Sequence, residues 1–395
     1  MTTTACPQFL LAQRADVQLY PPVLHQARAL ADLGHVRVLD AADASSQKAA
    51  RLNGRIEHIR ADAHGRWWAQ AHRVRLLQFL RMFQRAIATR PVVAFGYDVD
   101  AAAALIASRA FYPTIRRVVH LHELGTPALW ASSRMSTAAL RYLTHRLRRA
   151  DLVIVPDTHR ATLTAEQFRL PEPPVTVMNC PPRLDRLPDS RLVPYVHAHN
   201  LPASRIVQYQ GVIGEDHGLD TVIRSMSHWP DDAVLALVGS GPQDAVDRLR
   251  RLAAAHGVDE RVLWIGRVPY DQVFSYGVGA AVGLSILVPT NHNWKYASGA
   301  SNKRFEYAAL GIPQVTNVGP GIDDLFTRTG IAAAVPHDDP RAIGDAVTRY
   351  LTDSARVSNA GVRARRLHLT TYNYEEQFAP VVDRIEQWVG CGHGA

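Results

Sequence analysis

The chain has 395 residues and a formal net charge of +8, with 47% hydrophobic and 20% charged residues. This length suits two domains, and no apolar run approaches the roughly 20 residues that a membrane span needs. The N-terminal segment lacks the basic start of a cleavable signal, and the three cysteines have no metal-binding spacing. We therefore expect a globular, cytoplasmic protein with reduced thiols.

The charge is divided unevenly along the chain. Residues 1–195 hold 26 Lys and Arg against 15 Asp and Glu, whereas residues 196–395 hold 18 against 21. The basic half could face an anionic acceptor or a membrane surface. No basic motif with interleaved stacking aromatic residues indicates nucleic acid binding.

Short apolar runs alternate with helix-length segments through the first half. Two helices are predicted there, Pro21–Gly34 with Pro near its first turn and Gly at its end, and the Ala-rich Ala101–Ala110. Continuous apolar strands separated by helices are typical of a parallel sheet that is covered on both faces. The predicted strands of this half are Phe9–Leu11, Val36–Leu39, Pro91–Phe95, Arg117–Leu121, Leu152–Val155 and Val175–Asn179.

One further helix of the first half is basic and amphipathic. It spans about residues 66–90, and Leu76, Leu80, Phe83 and Ile87 form one apolar stripe along it. The pattern favours a helix packed on the core with a solvated Arg face. Weak peripheral contact with anionic lipid at the inner membrane face is the alternative.

A proline-rich stretch without periodicity, residues 180–202, is predicted to link two domains. A second alternation follows, and an amphipathic helix at Tyr374–Val389 closes the chain. We assign residues 1–190 and 191–372 to two doubly wound α/β domains that face each other, with ligands at the carboxyl ends of their strands. The predicted strands of the second half are Arg205–Tyr209, Ala233–Val238, Val262–Ile265, Val282–Ile286 and Pro313–Thr316.

The segment Ser301–Asn317 is the most informative stretch of the sequence. It predicts a helix that Ser301 or Asn302 caps and that Gly311 ends, followed by a buried strand. A helix N-terminus with a nearby cation, here Lys303, is suited to a diphosphate, and Glu306 lies one turn deeper, where it could accept hydrogen bonds from ribose hydroxyls. The pattern thus indicates a nucleotide-sugar site.

This segment resembles the donor-binding segment of glycosyltransferase family 4, whose pattern is roughly Pro/Ser-x-Lys-x-Phe-Glu-Tyr-x-Ala-x-Gly-x-Pro-Val-Val. The resemblance covers most of the chain and is stronger in the second half. It implies the GT-B fold, with two Rossmann-like parallel-sheet domains and a last helix, residues 373–395, that crosses back to the first domain. It also implies a retaining, metal-independent transferase whose only co-substrate is a nucleotide sugar, most simply UDP-linked.

Several glycine-containing turns match the same family pattern. The loop Gln210–Asp220 resembles the family's phosphate loop, with Gly211 and Gly214 at flexible positions, but His217 stands where the family has Arg or Lys. Donor-binding roles are also implied for Gly239 and Gly241, at the end of the next strand, and for Arg267, although a surface Arg is an equal alternative. The first of the family's two glutamates would fall at Ser298, so that pair is incomplete.

Candidate catalytic groups follow a strand of the first half. The resemblance implies that a His near the reacting carbon lies here, and we select His122 together with Glu123, with Lys303 stabilising the departing diphosphate. His120 alternates with Leu121 within the strand and is interpreted as a packed residue. The pair Asp98 and Asp100 could bind a divalent cation, but Asp100 is interpreted as a helix N-cap and no metal site is assigned.

The sequence leaves the acceptor open. Small secondary metabolites, polyprenyl-linked acceptors and polysaccharides all remain candidates, with a slight preference for a small hydroxylated molecule. Two other functions are alternatives: a UDP-sugar 2-epimerase of the same fold, and a non-catalytic nucleotide-sugar-binding protein.

Overall fold

The computed structural model of the chain describes residues 6–41, 54–60, 72–124, 134–202 and 204–390. Its contacts divide the chain into two units, one of residues 1–178 together with the residues from Gln377 onward, and one of residues 179–376. The sequence placed the corresponding boundaries after residues 190 and 372.

The first unit contains a seven-stranded parallel sheet with the strand order β3-β2-β1-β4-β5-β6-β7. Helices follow most of its strands, as expected for parallel strands joined by crossovers. The strands are β1 Gln8–Ala12, β2 His35–Asp40, β3 Ile56–Arg60, β4 Val93–Tyr97, β5 Arg116–His120, β6 Leu152–Val155 and β7 Val175–Thr176. The first helices are α1 Pro21–Ala31, α2 His72–Ile87, α3 Asp98–Ala107, α4 Arg134–Arg146 and α5 Thr158–Phe168.

The second unit contains a six-stranded parallel sheet with the order β10-β9-β8-β11-β12-β13. Its strands are β8 Ile206–Gln210, β9 Val234–Val238, β10 Val262–Gly266, β11 Val282–Ser285, β12 Gln314–Asn317 and β13 Ala332–Val335. The remaining helices are α6 Leu192–Ala198, α7 Leu219–Ser225, α8 Gln243–Ala255, α9 His292–Lys295, α10 Asn302–Leu310, α11 Pro340–Thr352, α12 Ser354–Thr370 and α13 Tyr374–Val389.

Short helical turns complete the two units. A π-helical turn spans Asp323–Thr327. The 3₁₀ turns are Val17–Leu19, Ser108–Ala110, Leu147–Arg149, Glu215–His217, Met226–His228, Asp259–Arg261 and Tyr270–Gln272.

The predicted doubly wound α/β fold is confirmed, and the strands that the sequence missed are edge strands. β3 (Ile-Glu-His-Ile-Arg) is partly exposed at one edge of the first sheet, and β13 (Ala-Ala-Ala-Val) lies at one edge of the second. An edge strand has one unpaired side and need not be a continuous apolar run. β3 therefore lacks the continuous apolar run that identified the central strands, and β13 is mostly Ala, which has a low strand propensity.

The basic helix α2 packs its apolar stripe inside the first unit. Leu76, Phe83 and Ile87 are buried in a cluster with residues of β1 and β4, and Leu80 packs against that cluster. The core-packed interpretation of this helix is therefore correct, and residues 66–71 of the predicted span lie outside the described residues. Membrane contact stays a prediction, which the exposed side of the helix would have to carry. No helix in the described part of the chain is long and apolar enough to cross a membrane.

The stretch that was predicted as a linker belongs to the second unit. Residues 179–202 cluster with that unit and include α6, whose Leu192 and Val196 are fully buried against Ile206 and Val234. A helix this short does not show periodicity in a proline-rich sequence. Cys180 of this stretch is buried and free, Cys6 is exposed and free, and Cys391 lies outside the described residues.

The strand orders reveal where a ligand would bind in each unit. The order reverses between β1 and β4 in the first sheet and between β8 and β11 in the second. In open parallel sheets, ligands bind beyond the carboxyl ends of the strands at such reversal points. The residues that follow these four strands are therefore candidates for ligand contact.

Candidate functional site

Helix α10 lies beside the reversal point of the second sheet, and every residue from Lys303 to Leu310 is buried. The hydroxyl of Tyr307 donates toward the carbonyls of Gln208 (3.1 Å) and Leu284 (3.2 Å) and accepts from the N–H of Gln210. It thereby ties α10 to both strands at the reversal. Phe305 packs against Phe326 and Tyr372. The aromatic residues of this segment thus hold the helix in place.

Arg304 is also structural. The residue is 1% exposed, and its guanidinium donates to the carbonyl of Ala297 (2.7 Å), to Thr316 Oγ1 (3.2 Å) and to Asn317 Oδ1 (3.0 Å). These protein acceptors engage the guanidinium fully, so Arg304 supports the loop before α10 and the end of β12.

Lys303 is buried and has no carboxylate within ion-pair distance among the described residues, although the charge of Glu306 acts on it from further away. Its Nζ lies 3.3 Å from the hydroxyl of Tyr209 and 4.5 Å from the centre of that ring, and no ion pair joins it to a carboxylate of the described residues. Burial, and secondarily the charge of Arg304, lower its pKa from 10.5 to about 7. A buried cation of this kind gains most from an anionic ligand, because such a ligand would supply the missing partner.

Glu306 lies one turn along α10 and is 5% exposed. Gln210, the last residue of β8, donates from Nε2 to its Oε2 at 2.5 Å. Burial raises the pKa of this carboxyl to about 7, against the opposing effects of Gln210 and Lys303. Gln210 retains a buried Oε1 without a hydrogen-bond partner. Two polar groups of adjacent strand and helix thus converge at the end of β8.

The glycines after β8 and β9 let two loops touch through their backbones. A Cβ at Gly239 would lie 1.8 Å from the carbonyl oxygen of Gly211, and one at Gly241 would lie 1.8 Å from that of Ile213. Gly211 and Gly239 also have φ of 127° and 152°. The loops are joined by bonds from Gly211 N to Val238 O and from Ile213 N to Ser240 O, both 2.9 Å. These glycines therefore build the loop pair that borders Lys303.

His217 is held in the 3₁₀ turn that follows Gly214. It is 8% exposed, its ring lies edge-on to Tyr209 and Trp294, and its Nδ1 has no hydrogen-bond partner. Burial, and then the nearby charge of Lys303, lower its pKa to about 3. At the position where the resemblance implies Arg or Lys, the chain therefore has a neutral imidazole.

The start of α10 differs from the prediction. Ser301 occupies the N-cap position, but its side chain accepts no hydrogen bond from the helix, and Asn302 is already the first helical residue. The predicted side-chain cap is thus wrong, and the first-turn N–H groups lack a side-chain acceptor there. Gly311 ends the helix with φ 69°, as predicted. Arg267, which follows β10, is exposed.

Asp98 organises the reversal point of the first sheet. It follows β4 with φ 53°, a left-handed conformation that costs energy in a residue other than glycine. Its Oδ1 accepts from the backbone N–H groups of His122 (2.9 Å) and Glu123 (3.2 Å), and its Oδ2 from Gln13 Nε2 (3.3 Å). Although burial opposes it, contacts with His122, Gln13 and Glu123 hold the pKa of Asp98 below its usual value.

His122 lies among aromatic rings directly after β5. It is 5% exposed, and its ring centre is 5.5 Å from those of Tyr97 and Tyr20 and 4.3 Å from that of His120. Its Nδ1 is 3.6 Å from Asp98 Oδ2, and neither ring nitrogen has a hydrogen-bond partner. Tyr97 and His120 are fixed in turn by Gln26, which accepts from Tyr97 and contacts His120 Nδ1 at 2.7 Å.

Glu123 is half-buried beside the buried Arg160. Burial raises the pKa of its carboxyl, and the charge of Arg160 opposes that shift. Arg160 Nη1 donates to the carbonyl of His122 at 2.5 Å. The side chains of Asp98 and Arg160 thus hold the backbone at His122 and Glu123, the two predicted catalytic residues of the first unit.

Asp100 is not the predicted N-cap. Helix α3 begins at Asp98, so Asp100 lies in its first turn and pairs with Arg14 Nε at 2.5 Å and Ser136 Oγ at 3.0 Å. Both aspartates of the Asp-x-Asp pair therefore bind protein donors. Among the residues that the structure describes, no three His, Cys, Asp or Glu side chains group as metal ligands would.

Sequence reasoning missed the roles of several residues that complete these two groups. Tyr209 and Gln210 are the last two residues of β8, and Asp98, which the sequence offered only as a possible metal ligand, follows β4. Their positions at the two reversal points were the available signal. Arg160 carries no such signal, because it reaches His122 from a helix 38 residues further along. Its role depends on how α5 packs beside β5.

Comparison with known proteins agrees with this fold. Residues 204–353 match the family model described as glycosyl transferases group 1. No curated protein matches the chain by sequence.

Solved structures resemble the chain over nearly its whole length. Sucrose-phosphate synthase from Thermosynechococcus elongatus has a TM-score of 0.74 at 19% identity, covering 98% of this chain and 100% of that one. A glycosyltransferase from Rickettsia africae has 0.73 at 11%, covering 98% and 99%. Anabaena HepE in complex with UDP and glucose has 0.70 at 12%, covering 96% and 99%. The chain therefore has the GT-B fold, as the resemblance implied.

Proposed function

We propose that this chain, whose residues 204–353 form a glycosyl transferase group 1 domain, is a retaining, metal-independent glycosyltransferase. It moves a hexosyl or N-acetylhexosaminyl group from a UDP-sugar to an acceptor hydroxyl. The family match supports a transferase enzyme, and the UDP bound by the similarly folded HepE favours UDP among the nucleotides.

The observation that carries this proposal is the uncompensated Lys303 beside the first turn of α10. A departing diphosphate would bring two to three negative charges to a buried cation and to helix N–H groups without a side-chain cap. Stabilisation of charge that develops in the transition state is where such groups accelerate a reaction. The site supplies positive charge from the protein itself, which is the role a divalent ion has in metal-dependent transferases.

The other residues of the second unit have supporting roles in this proposal. Glu306, held by Gln210, accepts from the ribose hydroxyls, and the close-packed loops at Gly211 and Gly239 present backbone groups to the phosphates. The acceptor hydroxyl attacks the face that the diphosphate leaves. The leaving phosphate oxygen takes the acceptor proton, so the step is balanced without a separate protein base.

The first unit is proposed to bind the acceptor. Gln13 donates to Asp98 and Arg14 pairs with Asp100 at the carboxyl ends of β1 and β4, so this group carries one negative charge in excess. Such a set is suited to the hydroxyl groups of a small polar acceptor. His122 Nε2 is free to accept a hydrogen bond from a substrate hydroxyl.

A metal-free thermal-shift panel tests the donor class. UDP, GDP, ADP and TDP are compared with and without EDTA, because a ligand that binds only the folded state raises the melting temperature. A shift selective for UDP and insensitive to EDTA is expected. Loss of the shift on chelation would contradict metal independence, and no shift with any nucleotide would contradict the transferase site.

Two variants test the assigned residues. Lys303→Ala should lower turnover by about 10²–10³, the effect of losing one group that stabilises a leaving anion.

Glu306→Ala should weaken UDP binding by about 10-fold, or roughly 1.4 kcal/mol. The exposed Lys295 and Glu260 supply matched controls as Lys295→Ala and Glu260→Ala. Wild-type UDP affinity in Glu306→Ala would overturn the ribose assignment.

A further inference from the structure

We infer that Asp98 is a positioning residue that sets the orientation and the tautomer of His122, so that His122 Nε2 faces the substrate as a hydrogen-bond acceptor. The inference deepens the proposed function, since it assigns a task to a residue that the sequence offered only as a possible metal ligand. It depends on the arrangement of Asp98, His122 and the rings around them.

The backbone at Asp98 is the first observation. A left-handed φ of 53° right after a strand is unfavourable for any side chain, and glycine would relieve it. The carboxylate is nevertheless placed where it accepts from the N–H groups of His122 and Glu123. A strained residue whose side chain holds a neighbouring loop is typical of a site where position matters more than stability.

The imidazole ring is the second observation. It is stacked at 11° to Tyr97, against His120 at 4.3 Å, and near Tyr20, so its plane is set by packing. Nδ1 is the ring nitrogen beside Asp98, with Oδ2 3.6 Å away, whereas Nε2 lies on the other side of the ring and has no hydrogen-bond partner among the described residues. A carboxylate can only accept, so the proton belongs on Nδ1 and the lone pair on Nε2.

The neighbouring His120 does not compete with His122 for Asp98. Its Nδ1 is engaged with Gln26, whose Oε1 accepts from the Tyr97 hydroxyl, which leaves the amide NH₂ to donate to His120. Burial, and then the nearby His122, hold the pKa of His120 well below its usual value. His120 is therefore a neutral ring that supports His122, as its interpretation as a packed residue predicted.

Asp98→Asn is the decisive substitution, because the geometry predicts that it moves the His122 ring proton from Nδ1 to Nε2. The asparagine Oδ1 can still accept from the two backbone N–H groups, which directs its NH₂ group to the position of Oδ2, where the Gln13 amide would turn to present its oxygen. That NH₂ would donate to His122 Nδ1 and shift the ring proton to Nε2. His122 would then present a donor to the substrate in place of an acceptor.

The test is a long-range ¹H–¹⁵N spectrum of the full chain labelled at histidine nitrogens, with His122 assigned by loss of its signals in His122→Gln. Wild type should show the proton on Nδ1, and Asp98→Asn should show it on Nε2. The reverse tautomer in wild type, or an unchanged tautomer in Asp98→Asn, would overturn the inference. The wild-type measurement decides it even if the variant does not fold.

Turnover provides the second readout. Asp98→Asn should lower kcat about 100-fold or more while leaving the UDP-induced thermal shift unchanged. Asp151→Asn is the matched control, because Asp151 accepts from Arg117 N and Arg116 at the other end of the sheet and should retain wild-type turnover. If no nucleotide sugar is turned over at all, the proposed function fails while the tautomer measurement still decides the role of Asp98.

Discussion

At the residue scale, the neighbouring side chains of Lys303 and Arg304 in α10 differ in their partners. Arg304 and Lys303 are both buried cations, yet Arg304 has protein acceptors around its guanidinium. In the described part of the chain, Lys303 contacts the Tyr209 hydroxyl and ring and feels the charge of Glu306 from beyond ion-pair distance. The difference follows from helical geometry, because residues one apart point about 100° from each other. One cation therefore holds the structure together, and the other is available to a ligand.

This arrangement predicts a pH dependence of donor binding. Lys303 and Glu306 both titrate near pH 7, so raising the pH removes a positive charge and adds a negative one. Both changes weaken the attraction for a diphosphate, and UDP affinity should fall at least about 10-fold between roughly pH 6 and pH 8.5. His217 and Tyr209, which face the same space, keep their charge states over this range.

Calorimetric titration with UDP at several pH values checks this prediction. Lys303→Arg is the informative comparison, because a guanidinium stays charged throughout and should flatten the profile. Dividing the two affinities at each pH removes the titration of UDP itself. A ratio that does not change with pH would contradict the assignment of Lys303 as the titrating cation.

At the element scale, the second sheet depends on backbone contact between the loops after β8 and β9. Gly241 has an ordinary φ, so the obstacle to a side chain there is the carbonyl oxygen of Ile213, which lies 1.8 Å from where a Cβ would be. Neighbouring loops of this kind cannot separate without breaking the bond from Ile213 N to Ser240 O. The glycines of these loops are therefore needed for the close approach of the loops after β8 and β9, in addition to any contact with a ligand.

Gly241→Ala should therefore lower the free energy of unfolding by about 1–3 kcal/mol, as overpacking does, and weaken UDP binding by displacing the loops. Gly319→Ala is the control, since its Cβ would meet atoms only at 3.6 Å and beyond and its φ is ordinary. Denaturant unfolding and UDP titration of both variants provide the measurement. Equal stability of the two variants would show that the loops part without cost.

At the scale of the whole molecule, the chain returns to its first unit after completing the second. Helix α13 starts at Tyr374, and from Gln377 onward it clusters with residues 1–178. Arg116 stacks over Trp388 at 5.6 Å, and Phe378 and Ile385 are fully buried. The first unit therefore requires residues from both ends of the described chain.

Ile385→Ala should destabilise the first unit selectively, by about 2–5 kcal/mol, because it leaves a cavity at a fully buried position. Hydrogen exchange followed by mass spectrometry should show faster exchange in strands of residues 6–178 and little change in residues 204–353. Val362→Ala, at a 67% exposed position, is the control. Faster exchange confined to the second unit would contradict the division of the chain.

The sequence alone determined the alternation of strands and helices, the α/β class and the family resemblance of residues 301–317. These features are local: a central parallel strand is a continuous apolar run, and Gly311 ends a helix by its own backbone freedom. Even the bounds of Tyr374–Val389 could be read from its spacing. The edge strands β3 and β13 and the short helix at Leu192–Ala198 were missed because their local sequence pattern is weak.

Only the tertiary structure decided which of the candidate residues are free to act. Asp98 reaches residues 24 positions away and Gln210 a residue 96 positions away, so neither partnership is visible in spacing. Distant groups that pack around a residue decide whether a cation is paired and whether a carboxyl is buried. They also decide whether a cap forms at Ser301. The environment formed by tertiary packing sets the free energies of burial and of ion pairing. More of the fold than of the site could therefore be predicted from the sequence.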